Sequence, residues 1–596
     1  MRELTDREIN ILEEQGCWAE SWQDIIVDDD FMTDAVRNVT FYGHVEIGRL
    51  NGTLDVEEGF RRRCCLRNAT LRNVVVGDEC LIENVSGYIN GYSIGNQCYI
   101  SNVGTMTCQE GASFASGTLI SVLNEGGEGN VVLNEHLTAQ AAWLMVNGIG
   151  RTLKDAEEPA PEDVYDDDER ASLAVMGAMS RIIDVKEISN VKIGEYCEIH
   201  GASRLDNCTV LSTEDANTFI GCDVIMENTI VAAGASVTDG AKVMECFVGE
   251  SVHIGKGFSA ENSLFFANSY MDNGEACAVL CGPFSTSHHK STLLIGCAFS
   301  FYNAGSATNQ SNHAYKMGPI HWGMLDRGAK TASGSHLLLP VHLGVFSVAI
   351  GKIQTHPQTF KMPFSYVIGD GDRTWLVPGV NIRTVGTWRD VKKWPTRDLR
   401  PLSSRSDIVN YAFPNPYIVQ YVVEGREALL SLLKDDREEY EYGGCVIRHD
   451  AAVKGVEYYD TVLRLFLREA LKHGDGGEAA QAQWFDMCGM IVTKEGLDAV
   501  VHDVKSGAVS SLVELQSLLR QIDADYQRCC EAYALWVLQS LGDALFNDAA
   551  NWREEADEAY ARWLQMVKDD AEKEFRMGDV EQSQLRKFIK EIDASC

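Results

Sequence analysis

The sequence predicts a mainly β protein built on a left-handed parallel β-helix, with an inserted helical segment and a C-terminal α-helical domain. The main observation is a six-residue period, in which apolar residues recur without a slip at Val76, Ile82, Tyr88, Ile94, Ile100 and Met106. The period returns from Ile193 to Leu211 and again between Val231 and Ile254. Because six matches neither an α-helix nor a long strand, it predicts short strands and tight turns that stack as coils.

The repeat also predicts the packing of each coil. One apolar side chain points inward from each side of a triangular prism, three hexapeptides close a coil, and strands of successive coils pair in parallel. Glycines that follow an inward residue, such as Gly77, Gly95 and Gly194, are expected to let the backbone turn. Cys80, Cys98 and Cys197 take the fifth position of a hexapeptide and are interpreted as small hydrophobic residues that fill tight spaces.

Changes of pattern divide the chain into four segments. A short helix is expected from Thr5 to Gln15, helical periodicity from Leu133 to Met145 and from Ser172 to Ile183, and an acidic linker from Asp155 to Glu169. Apolar stripes later in the chain predict packed helices. The expected segments are the N-terminal region with the first β-helix run (1–132, the run itself about 71–130), a helical insertion with the acidic linker (133–186), a second β-helix run (187–423) and the helical domain (424–596).

Composition limits the partners. The formal net charge of −35 disfavours nucleic acid and anionic membranes, because phosphate binding needs a basic surface. No apolar stretch approaches the roughly 20 residues of a membrane-spanning helix. The charged N-terminus has no signal-peptide core, so a cytoplasmic protein is expected. The 18 cysteines are scattered and form no metal-binding pattern.

A histidine-rich region predicts a functional site. Seven of the 14 histidines are His288, His289, His313, His321, His336, His342 and His356. The surrounding sequence is too polar for a β-helix core, so it should face solvent, a ligand or another subunit. The predicted general bases are His288, His289 and His313, and the predicted substrate-binding residues are Lys290, Asn309, Gln310, Asn312, Lys316 and His321. Of these, all except Gln310 and Lys316 are expected to converge on one cleft.

A basic strip follows between Arg373 and Arg405. Its eight basic and two acidic residues give a local charge of +6, and three tryptophans lie among them. One interpretation is an anion site in which Arg383, Arg389 and Lys393 bind a phosphorylated ligand. The other is that the strip pairs with the acidic helical domain.

Three long stretches carry a family resemblance: SAENSLFFANSYMDNGEACAVLCGPFSTSHHKSTLLIG, FYNAGSATNQSNHAYKMGPIHWG and MPFSYVIGDGDRTWLVPGVNIRTVGTWRD. Together they resemble a family of uncharacterised bacterial proteins with hexapeptide repeats and a domain of unknown function, over most of residues 1–430. The resemblance implies the β-helix but no activity. More loosely, the repeats are similar to those of β-helix sugar acyltransferases and sugar-phosphate nucleotidylyltransferases, and the acyltransferases use a histidine base in a cleft between subunits.

Three functional hypotheses follow. The first is a transferase that moves an acyl group from acyl-CoA to a sugar or sugar nucleotide. The second is a non-catalytic scaffold or sugar-phosphate-binding protein, and the third is a zinc enzyme of the γ-carbonic-anhydrase type. The cofactor is unknown and no residue is assigned to a metal. A small-molecule substrate and a homo-oligomer, as a trimer, are expected. No phosphate-binding loop, dinucleotide fingerprint or G-x-S-x-G elbow is present.

Overall fold

The computed structural model describes residues 1–123, 129–151, 153, 173–311, 322–474, 476–577 and 582–594. One 41-stranded sheet contains the parallel strands that stack coil upon coil around a prism with three faces, together with a few antiparallel strands at its ends. The predicted mainly β architecture, a parallel β-helix followed by C-terminal helices, is confirmed. The acidic linker Asp155–Glu169 lies outside the described residues.

Short strands form each face, and five longer strands run across neighbouring faces: Val36–Ile47, Cys65–Val76, Ile89–Ile94, Glu187–Ile193 and Arg204–Val210. The first face holds Leu81–Glu83, Tyr99–Ser101, Arg181–Ile183, Glu198–His200, Phe219–Ile220, Ser236–Val237, His253–Gly255, Tyr270–Asp272, Thr286–Ser287, Asn303–Ala304, Lys330–Thr331, Val348–Ile350 and Tyr366–Asp370. The second face holds Thr105–Thr107, Ile225–Glu227, Lys242–Met244, Ser259–Glu261, Glu275–Cys277, Leu293–Ile295, Asn309–Ser311, His336–Leu338 and Lys352–Ile353. The third face holds Ile25–Val27, Ala174–Met176, Ile230–Val231, Phe247–Val248, Leu264–Phe265, Leu280–Cys281, Cys297–Phe299, Gly323–Leu325 and Val341–Leu343.

The six-residue period describes the prism interior with two corrections. Ile82, Ile94 and Met106 are at most 1% exposed, as predicted. Tyr88 is instead 44% exposed, because the step from Ile82 has seven residues and brings Ile89 inward. In the second run, Val210 rather than Leu211 is fully buried.

The role of the glycines differs from the prediction. Gly77, Gly95 and Gly194 do not adopt left-handed backbone conformations; a Cβ on any of them would lie within 2.8 Å of backbone atoms in the next coil. They are therefore required by close stacking of coils. Asparagine makes many of the turns instead, as in the ladder Asn38–Asn68–Asn84, whose side-chain amides are 3.0 Å apart at each step.

The insertion contains fewer helical residues than predicted. The first run ends at Thr107, and a separate hairpin (Leu119–Val122 with Gly129–Val132) and helix α2 (Ala139–Val146) follow. The predicted helix from Ser172 to Ile183 is wrong, because Ala174–Met176 and Arg181–Ile183 are strands of the prism. Met176 and Ile182 supply the inward side chains of that coil, so the hydrophobic period of six outweighs local helix propensity.

Ten helices lie among the described residues. The N-terminal helix α1 (Asp6–Glu14) confirms the predicted short helix, and Thr5 and Glu8 form its capping box. The helices after the prism are α3 (Val385–Thr396), α4 (Pro416–Leu432), α5 (His449–Ala470), α6 (Lys494–Ser506), α7 (Leu512–Ala524), α8 (Tyr526–Leu545), α9 (Trp552–Met577) and α10 (Gln582–Asp593). Short 3-10 turns span Trp22–Asp24, Thr33–Ala35, Val380–Arg383 and Ala549–Asn551. Antiparallel pairs of strands are Thr53–Glu57 with Phe60–Arg63, Tyr366–Asp370 with Arg373–Val377, Glu439–Tyr442 with Cys445–Arg448, Trp484–Met487 with Met490–Thr493, and Arg2–Glu3 with Ile25–Val27; Trp18–Ala19 pairs in parallel with Val36–Ile47.

The insertion and part of the C-terminal region cover the third face. Outward residues of that face, including Phe247, Leu264 and Leu280, share one hydrophobic cluster with α2, α6 and α7. The corner between the first and second faces lies opposite this covered surface. Within the described part of the chain, no helix has the length and hydropathy needed to span a membrane.

Candidate functional site

The candidate site lies at the corner between the first and second faces. Strand register places outward residues of successive coils directly above one another, about 4.8 Å apart. One column contains Ser236, His253, Tyr270, Thr286, Asn303 and Lys330. Beside it, Asp272 lies above Gly255, and His288 follows the strand that pairs with Asp272's strand. Polar side chains from several coils are thereby gathered at one corner.

A buried carboxylate organises this corner. The Asp272 side chain is 0% exposed, and its Oδ1 lies 3.2 Å from His253 Nε2. Its Oδ2 accepts a hydrogen bond of 2.7 Å from Lys256 Nζ, which raises the pKa of that lysine. The His253 side chain is 25% exposed. Because the carboxylate accepts the Nε2 proton, the lone pair of neutral His253 is on Nδ1.

Aromatic contacts extend the site toward the predicted histidines. The ring of His253 stacks on Tyr270 with centroids 4.3 Å apart, and Tyr270 meets His288 edge-on at 6.4 Å. His288 in turn contacts His289 at 4.4 Å. Although His288 is exposed, neighbouring side chains remove part of its hydration, and this desolvation lowers the pKa of His288; the neighbouring charge of His289 lowers it further. Both effects favour the neutral imidazole of His288, which is the form that accepts a proton.

Gly255 is the residue that leaves room for the carboxylate. A Cβ at this position would lie 2.8 Å from His253 Nε2, 2.8 Å from Thr238 Oγ1 and 3.0 Å from Asp272 Oδ1. Any larger side chain would therefore enter the space between the carboxylate and the histidine. The glycine is required by this close approach rather than by a turn.

The structure brings together only part of the predicted cleft. His288, His289 and Lys290 lie side by side at the corner and are exposed. Asn309 belongs to the next coil on the second face, where it pairs with Leu293, and its Oδ1 is buried without a hydrogen-bond partner among the described residues. Gln310 points into the prism, is 0% exposed and interacts with Tyr302, so it lies away from solvent. Asn312, His313, Lys316 and His321 lie outside the described residues.

A cationic cluster lies further along the first face. Lys330, from the same column as His253 and Tyr270, forms an ion pair with Asp390 of α3. Burial lowers the pKa of Lys393, and the charges of Arg389 and Arg397 lower it further. Asp390 also lies 3.9 Å from Arg389, so the basic side chains of Lys330, Arg389, Lys393 and Arg397 gather at this part of α3.

The rest of the basic strip is largely paired. Arg373 lies 2.7 Å from Glu439 in the C-terminal region, and Arg400 and Arg405 both pair with Asp398. Burial raises the pKa of Tyr366. The charge of Asp570 in α9 raises this pKa further, and the charge of Arg383 lowers it, so Asp570 and Arg383 both lie near Tyr366. Pairing with the C-terminal region thus occurs at Arg373.

The three tryptophans of the strip do not form one stacking surface. Trp388 is 5% exposed and packs on Phe588, and Trp394 packs edge-on against Phe301. Trp375 lies between the guanidinium groups of Arg373 and Arg448, with centroid distances of 4.6 and 4.7 Å. The tryptophans therefore serve packing in these positions.

A second carboxylate–histidine pair joins His342 to Asp326. His342 Nε2 lies 3.1 Å from Asp326 Oδ1, and its ring stacks on Phe360 at 4.6 Å. This pair faces α4 on the covered side of the prism, where Asp326 contributes to raising the pKa of the partly buried Tyr417, an increase caused first by desolvation. The His253–Asp272 pair differs because it lies at the uncovered corner beside other polar groups.

Sequence reasoning missed His253, Lys256 and Asp272. The sequence feature that could have revealed them is the coil length: His253 and Tyr270, like Gly255 and Asp272, are one coil of 17 residues apart.

Among the described residues, no group of three or more histidine, cysteine, aspartate or glutamate side chains is placed to hold a metal ion. The zinc hypothesis therefore has no ligand set in this part of the chain.

The fold defines the class as a parallel β-helix protein with a carboxylate-oriented histidine at an open corner. The family described as "Domain of unknown function (DUF4954)" matches residues 1–433, and the chain belongs to this family. "Domain of unknown function (DUF6819)" matches residues 467–581. An uncharacterized protein of Treponema pallidum (strain Nichols) is 26% identical over 435 residues, which cover 70% of this chain. The chain matches 59% of that relative's length.

Proposed function

We propose that the protein is a hexapeptide-type transferase in which His253 is the general base. The observation that supports this role is the 3.2 Å contact between His253 Nε2 and the fully buried Asp272 carboxylate. A histidine that is held by a carboxylate has a fixed orientation and a defined tautomer, as general-base catalysis requires. His288 and His289 border the same corner and contact the substrate.

The proposed reaction transfers an acyl group to a sugar hydroxyl. His253 Nδ1 takes the hydroxyl proton while the oxygen attacks the thioester carbonyl carbon of an acyl-CoA. The new C–O bond forms, the C–S bond breaks, and the imidazolium returns the proton to the leaving thiolate. The buried Asp272 carboxylate stabilises the positive charge that develops on the imidazole.

The distance along the first face between the histidine site and the cationic cluster supports a phosphorylated substrate or donor. Three coil steps separate Tyr270 from Lys330, a distance of about 14 Å at ordinary strand spacing. The cationic cluster of Lys330, Arg389, Lys393 and Arg397 lies at the far end. A sugar nucleotide or acyl-CoA whose reactive group reaches His253 would place its phosphates toward these charges.

A trimer is part of the proposal. The third face is covered within the chain, whereas the first and second faces carry the polar columns at their common corner. A neighbouring subunit packed along this corner would close the site and exclude water. Light scattering is expected to give three times 65.9 kDa, and a monomer at micromolar concentration would contradict this arrangement.

Product analysis by mass spectrometry tests the proposed activity. The protein is incubated with acetyl-CoA and a panel of sugars, sugar phosphates and nucleotide sugars, and acetylated product is measured. His253→Ala and Asp272→Asn are expected to lower kcat by about 100-fold or more. His44→Ala is the matched control, because His44 also contacts a carboxylate, Glu46, at 2.9 Å but lies near the other end of the prism. Turnover that is unaffected by either site variant contradicts the proposal, and binding of panel members without turnover favours the non-catalytic alternative.

A further inference from the structure

A groove rich in arginine lies beside the N-terminal hairpin, far along the chain from the histidine site. It has a volume of about 410 Å³ and is lined by Asp34, Arg37, Phe60, Arg62, Arg63 and Arg67, among others. The hairpin consists of Thr53–Glu57 and Phe60–Arg63, and the wall opposite belongs to the first coils. Arginines from two separate parts of the chain therefore face the same space.

A buried carboxylate fixes two of these arginines. Glu83 is 2% exposed and accepts hydrogen bonds from both Nη atoms of Arg62, with Nη2 to Oε2 at 2.7 Å. Arg67 also donates to Glu83 Oε2, with Nε at 3.1 Å. Burial acts to raise the pKa of Glu83, but the hydrogen bonds from Arg62 and Arg67 outweigh it and keep the pKa below its ordinary value. Each guanidinium has five N–H groups, so both arginines keep N–H groups beyond those that bind Glu83.

The groove keeps an excess of positive charge. Arg37 lies directly beside Arg67 in the sheet, is exposed, and has no ion pair among the described residues. Arg63 pairs with the exposed Asp34 at 2.9 and 3.0 Å. Four arginines against Asp34 and Glu83 leave a charge of +2, in a chain whose net charge is −35. Such a local reversal of charge attracts an anion.

An exposed aromatic ring adds an apolar contact. Phe60 is 54% exposed on the hairpin, at the groove's edge, and Cys65 and Leu66 line the floor. Guanidinium forks bind phosphate oxygens in pairs, and an exposed ring offers a face for a planar group. We propose that this groove binds a phosphate-bearing small molecule with a planar group, Arg37, Arg62, Arg63 and Arg67 holding the phosphate and Phe60 the ring. The proposal does not depend on the transferase function.

Calorimetric titration of the whole protein with adenosine 5′-monophosphate and with pyrophosphate at low salt tests this site. Both probes are expected to bind saturably, and Arg37→Ala should weaken both by about tenfold or more, the effect of losing a charged hydrogen bond. Phe60→Ala should weaken adenosine monophosphate and leave pyrophosphate unchanged. Both side chains are exposed, so neither variant removes core packing.

Two matched variants distinguish binding in this groove from nonspecific attraction of the anionic probes to positive charge elsewhere on the protein. Arg72→Ala removes an exposed arginine from the strand that carries Arg67, outside the groove, and should leave affinity unchanged. Arg389→Ala removes a charge from the α3 cluster. Equal losses in Arg37→Ala and Arg72→Ala overturn the proposal. A loss confined to Arg389→Ala, or no saturable binding of either probe by the wild-type protein, overturns it as well.

Discussion

Arg327 of the β-helix lies 3.2 Å from Asp486 of the C-terminal region, and both side chains are buried, at 3% and 7% exposed. The same guanidinium donates to the backbone carbonyls of Asn410 and Gly489 and covers the ring of Phe301 at 3.9 Å. One side chain of the prism therefore binds two later parts of the chain. A buried pair that loses one partner leaves the other charge without compensation, which is costly.

Arg327→Ala is expected to destabilise the docking of the C-terminal region by about 3–5 kcal/mol. The measurement is urea-induced unfolding followed by tryptophan fluorescence. Arg528→Ala, which removes an arginine from the exposed pair with Asp525, is the control and should change the unfolding midpoint little. Equal midpoints for the two variants would show that the buried pair does not join the two regions.

Gly255→Ala is expected to abolish the proposed activity and lower the thermal stability. The new Cβ would lie 2.8 Å from His253 Nε2 and 3.0 Å from Asp272 Oδ1, so it separates the base from its carboxylate. Gly386→Ala is the matched control, since its Cβ meets neighbours only at 3.7 Å or beyond, within helix α3. Stability and activity of Gly386→Ala should equal or exceed those of the wild-type protein. Wild-type activity in Gly255→Ala contradicts the proposed geometry.

The pKa of His288 is expected to rise toward its ordinary value of 6.5 in His289→Ala, and to remain below it, because partial desolvation is the larger cause of the shift. Since folding disfavours protonated His288, its contribution to stability is complete above pH 6.5 and is lost as the pH falls toward the folded-state pKa. Histidine C2-hydrogen exchange with mass spectrometry reads the pKa directly. An unchanged value in His289→Ala means that the two rings do not interact electrostatically.

Docking of helix α1 is expected to weaken in acid. The Arg2 side chain, which donates to Glu8 at 2.8 Å, lowers the pKa of Glu8 from 4.5 to about 2. A depressed carboxyl pKa stabilises the folded state above the unfolded value, and this contribution is lost as the pH falls from 4.5 to about 2. Hydrogen exchange of the first 15 residues should show the loss. Glu8→Gln, compared at each pH, should lack this acid-dependent step, and an identical pH profile for both proteins counts against the mechanism.

The fold could be predicted because the inward residues repeat every six positions, a period that differs from that of an α-helix and from that of a long strand. Ile94 and Ile100 are buried where the period places them. The error at Tyr88 arose because nothing local marks the seven-residue step that turns Ile89 inward. Strands at Ala174–Met176 and Arg181–Ile183 were missed because each is only three residues long and pairs with a coil far earlier in the chain.

The site was harder to predict because register decides which side chains meet. His288 and His289 attract attention as a sequence pair, whereas His253 and Asp272 are 19 positions apart and meet only because two residues of offset add to a 17-residue coil. The pairing of Arg373 with Glu439 depends on a strand contact between the prism and the C-terminal region. Spacing alone does not determine either contact.

Ile100 and Ile182 are 82 positions apart in the sequence but pair directly in successive coils of the prism. Tyr99–Ser101 lies in register with Arg181–Ile183, and Thr105–Thr107 with Glu187–Ser189, as if the chain between Thr107 and Ala174 were absent. Each coil pairs only with its immediate neighbours. The strand ladder is therefore uninterrupted when the chain departs from the prism after one coil and rejoins it at the start of the next. The strand ladder itself therefore sets no limit on the length of the chain inserted here, although the hairpin and α2 also pack on the third face. Relatives are expected to vary most in length here, and the same position suits the grafting of a foreign domain.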